Sequence, residues 1–116
     1  MSHVLVVEDS PSIALLLRRR MEMAGHLVEV RASGAEAIER LSGGELPDVV
    51  LADVMMPGMD GMETLQRIKA DHPRVPVILV TAQQLTREEH SAADALVSKP
   101  IDFGELFAEI ERLAAS

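Results

Sequence analysis

Val49-Val50-Leu51-Ala52-Asp53 is the stretch on which the fold turns. Its first four residues are apolar with no polar face, and the run is too short for an ordinary helix. It therefore reads as a strand buried on both sides, the pattern of a parallel sheet covered by helices on each face. The run stops at a carboxylate. Outward from it the same design recurs: Val77-Ile78-Leu79-Val80 ends at Thr81, Val4-Leu5-Val6-Val7 ends at Glu8 and Asp9, and the brief Ala95-Leu96-Val97-Ser98 ends at Lys99. Leu27-Val28-Glu29-Val30 alternates in part, as an outer strand does.

Helical signals fill the intervals. Ser10-Pro11 offers an N-cap followed by proline at the first helical position. Ile13, Leu16, Leu17, Met21 and Ala24 then recur at helical spacing before Gly25, which suits a left-handed stop. Ser33-Gly34-Ala35-Glu36 is a capping box opening a helix through Ile38 and Leu41 that Gly43-Gly44 ends. Pro57-Gly58-Met59-Asp60-Gly61 is turn chemistry, and Asp60 with Glu63 caps a third helix through Met62, Leu65 and Ile68 to about Asp71. Pro73 and Pro76 punctuate the path to the next strand. Thr86-Arg87-Glu88-Glu89 is a capping box followed only by Ala92, Ala93 and Ala95, which predicts a weak fourth helix of about two turns. Asp102 with Glu105 caps a last helix whose Phe103, Leu106, Phe107, Ile110 and Leu113 form one stripe. Five strands alternating with five helices predict an α/β three-layer sandwich with right-handed crossovers.

At 116 residues the chain is expected to be one domain, residues 1–116. With Phe103 and Phe107 as its two aromatics, its core must be built from Val, Leu, Ile, Ala and Met. Nineteen acids against eleven bases leave a net charge of -8, which repels polyanions. The basic run Arg18-Arg19-Arg20 points to different sides of a helix and reads as a solvated face, so direct nucleic-acid binding is not expected. Cysteine is absent, which excludes disulfides and thiolate metal sites. The N-terminus leads straight into a strand without the charged and apolar regions of a signal peptide, and no apolar run approaches the roughly 20 residues that span a bilayer. A cytoplasmic protein without a membrane contact is the expectation.

The chemistry follows from where the strands end. In a parallel sheet Glu8, Asp9, Asp53, Thr81 and Lys99 gather at one edge, the edge where open α/β sheets bind ligands. Glu8, Asp9 and Asp53 supply oxygen donors for a hard cation, and so few carboxylates suit Mg²⁺, which keeps several waters; the backbone carbonyl of Met55 could complete the set. Asp53 can also attack the phosphorus of an incoming donor to give an aspartyl phosphate. Mg²⁺ and Lys99 would offset charge on the phosphoryl oxygens, and the Thr81 hydroxyl can donate to one of them. A general base is unnecessary, because the attacking carboxylate carries no proton at neutral pH. Taken singly, each residue has a plainer reading: an acid at a strand end caps a helix, a Thr packs as a β-branched residue, and a Lys-Pro precedes a turn. Their joint occurrence carries the functional one.

Val7-Glu8-Asp9-Ser10, Leu51-Ala52-Asp53 through Pro57 to Gly61, Val80-Thr81-Ala82 and Ser98-Lys99-Pro100 resemble the signatures of the two-component response regulator receiver (CheY-like) domain. The resemblance spans about residues 3 to 115. It implies a flavodoxin-like sheet of strand order 2-1-3-4-5, with Asp53 accepting phosphate from a histidine kinase or histidine phosphotransfer protein. It further implies Mg²⁺ as cofactor positioned by Glu8 and Asp9, Thr81 and Lys99 reading the phosphoryl group, and a cis Lys99-Pro100 bond, against a base rate of about 5–6 %. The switch so implied is a population shift in which the threonine hydroxyl moves to the phosphoryl oxygen and an aromatic on the last strand follows it. Output then passes through the face built by the segment 82–94, the last strand and the last helix to a downstream target or output domain. Whether the domain stands alone or is cut from a longer chain, and whether it is a monomer or a homodimer, is left open.

Three departures from that pattern stand out. The aromatic position is Leu96, which has no ring to swing. Thr81 and Lys99 are about four residues closer in sequence than is usual for the family, roughly one helical turn, and the usual glycine before the last strand gives way to Ala93-Asp94-Ala95. Met55 places an apolar side chain beside the expected phosphoryl group and is expected to hinder water, so that Met55→Asn would shorten the phosphoryl lifetime. The four histidines lack metal-ligand spacing, and the cluster Met55, Met56, Met59 and Met62 reads as packing. Two other functions are weighed: a phosphorylation-independent protein-interaction module using a remodelled fourth-helix face, and a Mg²⁺-dependent phosphohydrolase. The latter lacks a second acid two residues beyond Asp53 and has no room for a substrate cap.

Overall fold

The Val49–Asp53 run is the central strand of a five-stranded parallel sheet. In the computed structural model, which describes residues 2–54, 61–82, 88 and 91–115, the chain forms β1 (His3–Val7), α1 (Pro11–Met23), β2 (Leu27–Arg31), α2 (Gly34–Ser42), β3 (Val49–Asp53), α3 (Gly61–Asp71), β4 (Val77–Thr81), β5 (Ala95–Ser98) and α4 (Phe103–Ala114). The strand order is β2-β1-β3-β4-β5, every pair parallel, as expected. The register sets Val7 opposite Ala52, Asp53 opposite Val80, and Thr81 opposite Ser98. The C-terminal ends of four strands are thereby brought level.

Both faces of the sheet are dry. On one, Val4, Val6, Leu51, Ile78 and Val97 meet Leu17 and Met21 of α1 and Leu106 and Ile110 of α4. On the other, Leu5, Val7, Val50, Ala52 and Leu79 meet Leu41 of α2 and Leu65 and Ile68 of α3. Alternate residues of one strand thus serve opposite faces, and the absence of a polar face in the strands follows from that. β3 and β4 are buried along their whole length.

The caps read from sequence close their helices. Ser10 Oγ accepts from Ile13 N at 3.4 Å, Ser33 Oγ from Glu36 N at 3.1 Å, and Asp102 Oδ1 from Glu105 N at 3.1 Å. Gly25 has φ of 94°, the left-handed conformation that ends α1. The α1 stripe is narrower than its spacing suggested: Ala14, Leu17 and Met21 are buried, while Ile13 and Leu16 are exposed beside Phe103. One member of the basic run is not merely solvated. Arg20 sets its guanidinium 4.2 Å from the Phe103 ring centroid.

The helix count differs from the expectation. Among the described residues there are four helices rather than five. Of the stretch expected to hold another, Glu88 is helical and Ser91-Ala92 form a turn, whereas Thr86, Arg87 and Glu89 of the capping box lie outside the described residues. Ala95, offered as an apolar partner of that helix, belongs to β5. The turn Pro57 to Asp60, with its cap, also lies outside the described residues.

Candidate functional site

Asp53 is the last residue of β3, and its strand neighbours on both sides reach the same level, so its side chain emerges into the crevice above the sheet. It is 5 % exposed. The carboxylate is nevertheless not isolated, because Lys99 Nζ donates to its Oδ2 at 2.5 Å. The backbone places that lysine. Lys99 N donates to Thr81 O at 2.8 Å, continuing the β4–β5 ladder one residue beyond the strand. The Lys99-Pro100 peptide bond that follows is cis, as the resemblance implied, and Pro100 is exposed.

Glu8, one residue past β1, is as buried as Asp53, and its backbone N–H donates to Arg31 O of β2 at 3.0 Å. Burial, and then a hydrogen bond with the Asp53 carboxyl, push the Glu8 carboxyl up from 4.5 to about 7, against the opposing donation of the Ser10 N–H to Oε1 at 3.1 Å. Glu8 and Asp53 therefore compete for countercharge inside one desolvated crevice. Lys99 supplies one positive charge to the pair, and at neutral pH a proton on Glu8 supplies part of the other.

Thr81 closes β4 beside them with 1 % of its surface exposed. Asp9 is exposed. Among the described residues, no three acidic or imidazole side chains converge as they would around a metal ion. Of the expected donors, then, Glu8 and Asp53 come together, Asp9 stands at the rim, and the Met55 carbonyl lies outside the described residues. Two close, buried carboxylates, of which Glu8 has its proton affinity raised by burial and by its neighbour, are a donor set that fits a small hard cation: it would relieve the repulsion that the Glu8 proton now relieves. That pair leaves several coordination positions to water, as Mg²⁺ requires.

The floor of the crevice is held from below by Gly61, the first residue of α3. Its N–H donates to Val54 O at 3.0 Å, and a Cβ built there would lie 2.3 Å from Asp53 O and 2.6 Å from Val54 Cα. Only glycine allows the helix to start so close to the strand end. Leu96, at the expected switch position, is half-buried and packs inward against the α2/α3 side of the core. The residue patterns overlooked two contributors. The Ser10 N–H on Glu8 has no side-chain signal at all, and the ionic node around Asp94 (below) was visible only as an acid where a glycine was expected.

Comparison with known proteins agrees with this geometry. The family model for the response regulator receiver domain matches residues 4–111. The transcriptional regulatory protein TcrA of Mycobacterium tuberculosis is 36 % identical over 115 residues, covering 96 % of this chain and 45 % of its own. The DNA-binding transcriptional regulator NtrC of Escherichia coli is 41 % identical over 120 residues, covering 94 % of this chain and 24 % of its own. The chain thus spans less than half the length of either relative. Among solved structures, the response regulator TrrA of Thermotoga maritima, crystallised in complex with Mg²⁺-BeF, superposes with a TM-score of 0.87 at 33 % identity, covering 97 % of this chain and 99 % of that one.

Proposed function

The chain belongs to the response regulator receiver domain family, and from that premise we propose that Asp53 accepts a phosphoryl group from a phosphohistidine of a histidine kinase or phosphotransfer protein. The observation that carries this reading is the direct contact of Lys99 Nζ with Asp53 Oδ2 in a crevice that also buries Glu8 and Thr81. A buried nucleophilic carboxylate, a cation already on it and a hydroxyl at the adjacent strand end are the parts an acyl phosphate needs.

In the step proposed, an Asp53 carboxylate oxygen forms a bond to phosphorus as the donor's phosphorus–nitrogen bond breaks, the electron pair leaving on the imidazole. With a small-molecule acyl phosphate the broken bond is phosphorus–oxygen, and the carboxylate departs. Lys99 follows the developing charge from Asp53 Oδ2 to a phosphoryl oxygen, and the Thr81 hydroxyl donates to another. Glu8 and Asp53, with Asp9 at the rim, would hold Mg²⁺. When bound, that ion offsets charge on the phosphoryl oxygens. Glu8 must lose its proton to serve as a ligand, so cation binding is linked to proton release. No residue of the chain is needed as a base, and the domain is a phosphoacceptor switch rather than a conventional enzyme. We place residues 1–116 in a single receiver unit whose output passes to a target protein or an attached domain, in the cytoplasm. No helix among the described residues is long and apolar enough to cross a membrane.

The test incubates the protein with Mg²⁺ and acetyl phosphate and reads intact mass and amide spectra, wild type against Asp53→Asn. One phosphoryl group per wild-type chain and none on the variant is the expected result; equal labelling of both, or phosphate release with no phosphorylated chain and no dependence on Asp53, sinks the proposal. Leu96 favours a second reading. Because it packs inward without a ring, modification with amide shifts confined to the crevice would mark an interaction module that does not relay phosphorylation.

A further inference from the structure

The end of the sheet opposite the crevice holds a cluster that the phosphoryl chemistry leaves unused. Asp94, the residue just before β5, exchanges two hydrogen bonds with Val77 at the start of β4: its N–H donates to Val77 O at 2.9 Å, and its Oδ2 accepts from Val77 N at 2.8 Å. The same Oδ2 lies 2.6 Å from Lys69 Nζ of α3, an ammonium that also donates to Val75 O at 2.8 Å. Arg112 of α4 donates to Asp94 O at 3.3 Å. One residue thus ties α3, β4, β5 and α4 together where the 82–94 segment rejoins the sheet.

We propose that Asp94 is a positioning residue for Lys99: its closed pair with Val77 sets the register of β5, and so the reach of the lysine to Asp53. β5 needs such a pin. It is an edge strand of four residues, hydrogen-bonded to β4 alone, and Val97 is its only fully buried member. A strand so short, with a single fully buried side chain, has few side-chain contacts of its own to hold its register. A slip of one residue would carry Lys99 about 3.3 Å along the strand, enough to break its contact with Asp53. Asp94 prevents that slip by occupying both backbone groups of Val77, after which Ala95 falls opposite Ile78, Ser98 opposite Thr81, and Lys99 N on Thr81 O. The Lys69 ion pair keeps the carboxylate turned toward Val77. This role rests on the phosphoacceptor reading of the same crevice.

The test is a double-mutant cycle with Lys99→Ala. Asp94→Ala removes both side-chain contacts, whereas Asp94→Asn keeps an acceptor for the Val77 N–H. With Mg²⁺ and acetyl phosphate, phosphoryl uptake by folded Asp94→Ala is expected to be about tenfold slower than wild type, a small misplacement of a catalytic group being costly. Asp94→Asn should recover most of the rate, and Asp94→Ala should add nothing once Lys99 is already alanine. Amide hydrogen exchange is read in parallel, since it does not depend on phosphorylation. The Lys99 N–H should exchange faster in Asp94→Ala relative to the amides of β1. Should Asp94→Ala fail to fold, Lys69→Gln, which strips one of the two Oδ2 contacts, must show a smaller fall in the same direction. An uptake rate within about twofold of wild type, additive effects in the cycle, or exchange that changes at Asp94 but not at Lys99 overturns the proposal. A wild type that takes up no phosphoryl group refutes the phosphoacceptor reading, and exchange at Lys99 then decides the register role on its own.

Discussion

Glu8 shows how one side chain can connect stability with ligand chemistry. Its carboxyl sits at about 7 instead of 4.5 because the fold buries it and sets it against Asp53. Between those two values the folded chain keeps a proton that the unfolded chain has released, so the metal-free protein loses stability as pH rises from about 4.5 to about 7. Glu8→Gln removes the titration. We expect the variant to be more stable than wild type at pH 8 by about 1–3 kcal/mol, with the difference closing at pH 4.5. Urea unfolding at the two values checks it, and a difference that does not narrow toward acid counts against the account. The adjacent pair Glu8-Asp9 was legible in the sequence as an acidic strand end. Which of the two points inward was not, because a strand exit fixes position but the turn that follows fixes direction: here Glu8 is buried and Asp9 exposed.

Elements were legible to the extent that their signals are local. Caps at Ser10, Ser33 and Asp102 involve groups three residues apart and were read correctly, whereas the exposure of Ile13 and Leu16 depends on what packs across from α1 and was not. The start of α3 is the tightest junction between elements at the site. Gly61→Ala would drive a methyl into the Asp53 carbonyl, at 2.3 Å, and the neighbouring Val54 backbone. Relief requires β3 or α3 to move, which should cost about 1–3 kcal/mol and slow phosphoryl uptake by displacing Asp53. Gly43→Ala is the control: a Cβ there meets nothing within 4 Å, and a change within about 0.5 kcal/mol is expected. Thermal melts and uptake rates measured together test both; equal behaviour of the two variants would dismiss the junction's importance.

On the scale of the molecule, one ionic network joins three elements at the β2 edge. Arg40 of α2 grips Glu29 of β2 through two hydrogen bonds of 2.8 Å each, and His3 Nε2 of β1 lies 2.6 Å from the same carboxylate. The Arg40 hydrogen bonds are the main reason the Glu29 carboxyl falls to about 2. Its stabilisation is complete above the unfolded value near 4.5 and is lost as pH drops toward 2. Glu29→Gln should therefore be less stable than wild type at pH 7 by about 1–3 kcal/mol, and the gap should shrink at pH 3. Denaturant midpoints at the two pH values decide it, and a constant gap would assign the loss to packing instead. The architecture itself was open to reading because buried parallel strands carry no polar face, so Val49–Ala52 and Val77–Val80 declare both their conformation and their two covering layers. The proposed phosphoryl chemistry was open for a related reason: the residues that would carry it end strands, and strand ends are visible as breaks in apolar runs. Contacts between residues far apart in sequence were not. That Lys99 touches Asp53 across 46 residues, that Gly61 must fit beneath it, and that Asp94 pins the strand leading to it are consequences of register. Register is a property of paired strands, which the one-dimensional pattern of any single strand does not contain.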